Sequence, residues 1–322
     1  MPKLLISYVL PEPNLQALAQ HFELVYPTEG QSFGREDILR LIVDADAYLA
    51  INVAVDREVI DRATRLKIIA NYGAGYDDID TDYAAERDII VTNTPTAVTE
   101  ATAEVAFGLM LSLLRNITFC DRQLRYNQDF AWGMLKQHTG RSLYGKTLGL
   151  IGFGRIGQAV ARRAVVSGMR IMYYQRHPLF DRLASALGAE YVSLDDLLAQ
   201  ADVVSLHVPL NESTHHLVDE RALSKMKPSA YLINTARGAV IDQAALVRCL
   251  QARGIAGAAL DVFEDEPQIP KALLDMDNVV LTPHIGTETL EARIAMAAEA
   301  ELNLVEFLRG NRPPNVVNGV SQ

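Results

Sequence analysis

The chain has 322 residues, more than one ordinary hydrophobic core accommodates, so two domains are expected. Hydrophobic residues make up 49% and charged residues 22%, the balance of a soluble globular protein. The formal net charge of −10 argues against non-specific binding to nucleic acid or anionic membranes, since a phosphate surface would repel it. An anionic small ligand must therefore meet a local basic pocket. The two cysteines, Cys120 and Cys249, are too few for a disulfide framework, and no Cys/His spacing suggests a metal site. A reducing cytoplasm is the natural compartment for such a chain.

The opening "MPKLLISYVLPEPN" is a short apolar run broken by Pro11 and Pro13, and reads as a first strand rather than a signal peptide. "KLLISYVL", "AYLAINV", "LKIIANYG" and "DIIVTNT" predict four strands within the first 95 residues. Helix-like segments such as "NLQALAQHF" and "REDILRLIV" lie between them. This alternation predicts a mostly parallel sheet with helices on both faces. "EATAEVAFGLMLSLLRNI" (100–117) follows; its apolar core "VAFGLMLSLL" is too short to span a bilayer and predicts a buried helix.

A second series starts near residue 146 with six strand candidates: "KTLGLIGF", "RIMYYQ", "VVSLHVPL", "AYLINTA", "GAALDVF" and "VVLTPHI". That is the size of a complete doubly wound dinucleotide domain. The long helical pattern "ETLEARIAMAAEAELNLVEFLRG" comes next and is expected to return to the first domain. The organisation predicted is α/β with two doubly wound parallel-sheet (Rossmann-like) domains, the first flavodoxin-like and discontinuous. It spans 1–99 and 287–322, and 100–286 makes the second domain.

Gly152, Gly154 and Gly157 in "GLIGFGRIGQAVARRAVVSG" form G-x-G-x-x-G. Alone the pattern is weak, but an apolar strand precedes it and a helix with apolar Ile156, Val160 and Ala164 follows. The first glycine permits the tight turn, the second lets a pyrophosphate approach the backbone, and the third lets helix and strand pack closely. The pyrophosphate then meets the free N–H groups of a helix N-terminus. An acid after the second strand would hold the ribose hydroxyls of NAD and repel a 2′-phosphate. Gln175 stands there instead, followed by Arg176 and His177, whose donors suit a 2′-phosphate. One charge-assisted bond of about 1.5–3 kcal/mol shifts preference toward NADP by roughly tenfold to a hundredfold. The competing reading is that Arg176 and His177 are solvated loop residues and both NADP(H) and NAD(H) bind.

Arg237 in "INTARGAVID", Glu266 in "LDVFEDEP" and His284 in "LTPHIG" follow strand candidates, where doubly wound sheets gather ligands. Singly, a His is more often structural and "EDE" a solvated loop. Together, behind a nucleotide fingerprint, they point to catalysis.

These motifs, with "NYGAGYDDID" (71–80), "GKTLGLIGFGRIGQ" (145–158) and "LHVPLNESTHHL" (206–217), make nearly the whole chain resemble the D-isomer-specific 2-hydroxyacid dehydrogenases. Within them it is most similar to the glyoxylate/hydroxypyruvate reductase branch, with 2-ketogluconate reductases nearby. The resemblance implies an oxidoreductase reducing small 2-keto acids. Arg237 would bind the substrate carboxylate and polarise the keto oxygen, His284 would donate the proton, and Glu266 would keep His284 charged. Asp261 would hold the nicotinamide carboxamide. Further cofactor contacts would come from Thr102, Arg155, Ile156, His207, Pro209, Thr214, Thr235, Ala236 and Gly286, beside the glycine turn and Gln175, Arg176 and His177. Ala74 and Gly75 would clamp the carboxylate from the other domain, and closure of the cleft would expel water. Asn52, at a strand end facing substrate in the family, would reach a substrate hydroxyl; equally, it is a turn-forming Asn.

The family also implies a homodimer whose arm includes "TFCDRQLRYNQDFAWGMLKQH" with Trp132; the bland reading is a packed inter-domain helix. The same resemblance leaves open a D-lactate-type or 3-phosphoglycerate dehydrogenase, or a non-catalytic NAD-sensing corepressor. Formate dehydrogenase of the same fold is disfavoured, because Glu266 stands where its glutamine would be.

Overall fold

The structure is a computed structural model, and it describes residues 1–28, 30–126, 139–178 and 182–320. Trp132, with most of the predicted dimer arm, lies outside the described residues. The chain divides into two compact units: Met1–Val98 with Thr287–Gln322, and Thr99–Gly286.

The first unit is built on five parallel strands, β1 (Lys3–Ile6), β2 (Glu23–Val25), β3 (Ala47–Ala50), β4 (Ile68–Asn71) and β5 (Ile90–Thr92). Their order is β2-β1-β3-β4-β5, the flavodoxin-like arrangement. β3 is buried at all four positions and β1 at three of its four, as strands covered on both faces must be. Leu5, Tyr48, Ile60, Ile69 and Val91 belong to one buried cluster. The helix Leu290–Leu308 packs on β4 and on the helix Glu12–Leu18, which binds the end of the chain to this sheet. Asn303, fully buried in it, donates to the Asn93 carbonyl at 3.1 Å and accepts from Asn315 N–H at 3.1 Å.

The second unit holds seven parallel strands: β6 (Thr147–Ile151), β7 (Arg170–Tyr174), β8 (Glu190–Tyr191), β9 (Val203–Leu206), β10 (Tyr231–Asn234), β11 (Gly257–Leu260) and β12 (Val279–Leu281). The order β12-β11-β10-β9-β6-β7-β8 is the doubly wound order of dinucleotide folds with one strand added at an edge. From β6 the chain turns one way to β7 and β8, then the other way from β9 on, so the switch point lies between β6 and β9. Helix Thr99–Leu114 buries Ala103, Ala106, Leu109, Met110 and Leu113 in the same cluster as Ala159, Val160 and Ala164 of helix Arg155–Val166. Leu197, Leu223, Leu246 and Leu250 belong to a second buried cluster. Among the described residues, no single helix is long and apolar enough to cross a membrane.

Two strands escape the sequence pattern. β2 has three residues and β8 two, and both are edge strands. Runs that short carry no alternation, and both have exposed residues where a covered strand would be apolar. The four and six strands expected are therefore five and seven. Cys120 and Cys249 are both free thiols.

Candidate active site

All strands of the second sheet are parallel, so the loops after β6, β7, β9, β10, β11 and β12 leave one edge. Gly152 follows β6, Gln175 follows β7, His207 follows β9, Arg237 lies after β10, Asp261 follows β11 and His284 lies after β12.

The glycine turn is fixed by contact. Gly152 has φ +95, and a Cβ there would come 2.4 Å from the His207 carbonyl oxygen. A Cβ on Gly157 would lie 2.3 Å from the Gly152 carbonyl oxygen. Neither position tolerates a side chain without backbone movement. A Cβ on Gly154 would meet nothing within 4 Å, so this glycine leaves one side of the turn open. Gly154 caps helix Arg155–Val166 with no side-chain hydrogen bond, which leaves the first N–H groups to an external acceptor. An open turn and an uncapped helix of 12 residues fit a pyrophosphate. Arg155 is exposed and Ile156 half-buried at that first turn.

Gln175 joins this turn to the next. Its Oε1 accepts from Phe153 N–H at 3.3 Å, and its Nε2 donates to the His177 carbonyl at 2.6 Å. Arg176 and His177 are exposed. His207 shares a proton with Ser205 across 2.9 Å, and burial pushes its imidazole down to about 3, so it is neutral. Thr214 donates to the Pro209 carbonyl at 2.6 Å and accepts from Asn211 N–H at 2.9 Å, closing the loop after β9. The buried Thr235 hydroxyl finds no partner among the described residues.

Arg237, Glu266 and His284 come together in this unit. His284 Nδ1 stands 2.8 Å from Glu266 Oε2, and Glu266 Oε1 accepts from Phe263 N–H at 2.9 Å. The hydrogen bond to Glu266, reinforced by its charge, raises the imidazole above the ordinary His range, against burial and the nearby Arg237 cation. Burial by itself would raise the Glu266 carboxyl. The His284 bond, the Phe263 N–H and the charges of His284 and Arg237 outweigh it and hold Glu266 below the ordinary range. The imidazole remains 48% exposed, open to a reactant.

Backbone contacts aim these groups. Buried Asn234 donates to the Arg237 carbonyl at 2.9 Å and accepts from Ala236 N–H at 3.0 Å, which shapes the turn presenting Arg237. Asp261, 1% exposed, takes Thr282 Oγ1–H at 2.6 Å, Ile285 N–H at 2.9 Å and Gly286 N–H at 2.9 Å. Its own carbonyl accepts from His284 N–H at 2.8 Å. One aspartate thus frames the loop on which His284 adopts φ 55. Burial raises the Asp261 carboxyl in spite of these bonds. Thr102 and Gly286 lie beside it: a Cβ on Gly286 would come 3.3 Å from Asp261 Oδ2 and 3.6 Å from Thr102 Oγ1.

In the first unit, Asn71 Nδ2 donates to the carbonyls of Gly73 at 3.0 Å and Gly75 at 2.7 Å. Asn93 Nδ2 holds the Ala74 carbonyl at 2.8 Å. These bonds hold the carbonyl side of the turn. Asn52 follows β3 at φ 50 and is exposed, the backbone of a turn-forming residue.

Asn234, Thr282 and Gly238, whose backbone lies against the peptide joining Phe263 to Glu264, are contributions that residue type and spacing did not single out. All three lie inside the motifs that carry Arg237 and His284, so the signal was present but unassigned.

The family model for the NAD-binding domain of D-isomer specific 2-hydroxyacid dehydrogenases matches residues 107–286. A glyoxylate reductase from Pyrococcus furiosus is 45% identical over 98% of this chain and 95% of its own length. The chain belongs to the D-isomer specific 2-hydroxyacid dehydrogenase family. It is accordingly an oxidoreductase that uses a nicotinamide cofactor. Two solved structures carry the likeness over both units of this dehydrogenase. A glyoxylate reductase from Paecilomyes thermophila is 38% identical, with a TM-score of 0.88 over 98% of this chain and 99% of that one. An NADPH-dependent glyoxylate/hydroxypyruvate reductase from Sinorhizobium meliloti, in complex with NADP and malonate, is 34% identical, with a TM-score of 0.86 over 99% and 97%.

Proposed function

We propose that this dehydrogenase reduces small 2-keto acids of the glyoxylate and hydroxypyruvate type to D-2-hydroxy acids, with NADPH as the preferred reductant. The carrying observation is the Arg237, Glu266 and His284 cluster at the strand ends of a nicotinamide-binding unit. The similarity to glyoxylate reductases disfavours the corepressor, D-lactate-type, 3-phosphoglycerate and 2-ketogluconate readings.

The bound nicotinamide supplies the hydride; the chain supplies position and charge. Arg237 holds the substrate carboxylate through its planar fork and draws electron density from the keto oxygen. His284 Nδ1 is committed to Glu266, so Nε2 is the nitrogen left to carry a proton to the keto oxygen. Glu266 keeps that proton loaded at neutral pH and disperses the positive charge until transfer. The framing of its loop by Asp261 fixes the imidazole, and Asp261 also stands for the carboxamide contact. Ala74, Gly75 and Asn52 are assigned to substrate. Thr102, the turn from Gly152 to Gly157, Pro209, Thr214, Thr235, Ala236 and Gly286 are assigned to cofactor.

The NADPH preference rests on Arg176 and His177, exposed donors with no acid at position 175. The S. meliloti reductase bound to NADP supports it. Assembly as a homodimer is supported by helix Ile117–Tyr126, which has no buried residue and leaves Ile117 54%, Leu124 53% and Tyr126 83% exposed.

The deciding experiment compares kcat/KM for glyoxylate, hydroxypyruvate, pyruvate and 2-ketogluconate, each with NADPH and NADH. Higher kcat/KM for glyoxylate or hydroxypyruvate with NADPH is expected. A pyruvate preference would overturn the substrate, and an NADH preference the cofactor.

A further inference from the structure

We propose that His215, His216 and Glu264 form a binding site for a divalent transition-metal ion of the zinc class. One ligand atom from each lies within 4.8 Å of the others. His216 Nε2 is already 2.7 Å from Glu264 Oε1, and the His215 ring stacks on the His216 ring with centroids 4.0 Å apart. Two ligands on a tetrahedral zinc ion stand about 3.3 Å apart, given bonds of about 2.0–2.1 Å. His215 is exposed, so its side chain has room to turn toward the other two, and the His216–Glu264 pair has to open slightly to take an ion between them.

The ligand set matches the ion. Two imidazoles and one carboxylate suit zinc and its neighbours, and three protein ligands leave a fourth position for water. The site is also supported from behind. His216 sits at φ 50, a left-handed conformation maintained by its N–H bond to the Ala239 carbonyl at 2.8 Å. Glu264 Oε2 accepts from Gln243 N–H at 3.3 Å, while Glu264 N–H donates to Gln243 Oε1 at 3.3 Å. A ligating carboxylate oriented by its own hydrogen bonds is the usual outer support of a metal site.

A plain tie between two loops needs only His216 and Glu264. The second imidazole takes no part in that hydrogen bond, but completes a three-ligand set. Glu264 and Glu266 share one loop and serve different imidazoles, His216 and His284 respectively. An ion at this site would bind the loop after β9 to the loop that carries Glu266. No sequence spacing announces it, because Glu264 lies 48 residues from His216.

The test titrates the full-length protein with zinc chloride by calorimetry, in parallel with His215→Ala, Glu264→Gln and His284→Ala. One zinc per chain is expected, with affinity at least tenfold lower in His215→Ala and Glu264→Gln and unchanged in His284→Ala. X-ray absorption at the zinc edge of the unmodified protein should show two imidazoles, a readout that needs no variant to fold. Wild-type affinity in His215→Ala, loss of binding in His284→Ala, or no zinc bound at millimolar concentration would each overturn the site.

Discussion

Gly238 lies against the peptide joining Phe263 to Glu264: a Cβ on it would stand 1.9 Å from the Phe263 carbonyl carbon and 2.3 Å from Glu264 N. The loop of Arg237 and the loop of Glu266 therefore touch backbone to backbone, and their spacing is set by the absence of one methyl group. Gly238→Ala must push them apart. Overpacking of this kind costs about 1–3 kcal/mol, and here both neighbours are backbone and cannot rotate away. A lower Tm and a fall in kcat/KM larger than the Tm loss explains are expected. Unchanged melting and turnover would show that the loops move freely.

His284→Ala removes the proposed proton donor and leaves the glycine turn untouched. Loss of a general acid typically costs about 10²–10⁴ in rate. kcat should fall by that order while NADPH binding, followed by its fluorescence, keeps its Kd. Retained turnover would refute the assignment of the acid.

The His284–Glu266 pair sets a pH window. The imidazole is raised in the folded protein, so its contribution to stability is complete below its unfolded pKa and is lost as pH rises through the folded one. The Glu266 carboxyl is lowered, so its contribution is present above its unfolded pKa and is lost as pH falls through the folded one. Reduction should fail on the alkaline side, where His284 loses its proton. Glu266→Gln keeps an oxygen for Phe263 N–H but removes the charge. It should move the alkaline limb of the kcat/KM profile to lower pH. A limb that stays in place in that variant would separate His284 from the titration.

Cofactor choice is tested at an exposed residue. Arg176→Ala should lower kcat/KM with NADPH by roughly tenfold to a hundredfold, the worth of one charge-assisted bond, and leave NADH nearly unaffected. The NADPH effect should shrink as salt is added, because an exposed ion pair is screened. Equal losses with both cofactors would assign Arg176 to folding rather than to the 2′-phosphate.

Much of the site was legible in the chain because its residues sit at chemically constrained points. Gly152 and Gly157 are glycines because carbonyl oxygens occupy the space of a side chain. The covered strands are apolar because both faces are buried, so β9, β10 and β11 announced themselves while the edge strands β2 and β8 did not. Arg237, Glu266 and His284 could be singled out together, as polar residues following apolar runs behind a nucleotide turn.

Order along the chain thus determined the two-domain α/β plan and the glycine turn, and singled out the side chains proposed to react, since each depends on residue type at short spacing. Tertiary structure decided what short spacing cannot encode. Strand order brought His284 to 2.8 Å from Glu266 and Gly238 against Phe263. It made Asp261 the frame of the His284 loop, and set Glu264 between Gln243 and His216. These contacts join loops from different strands, and only the pairing of those strands in one parallel sheet brings them within bonding distance.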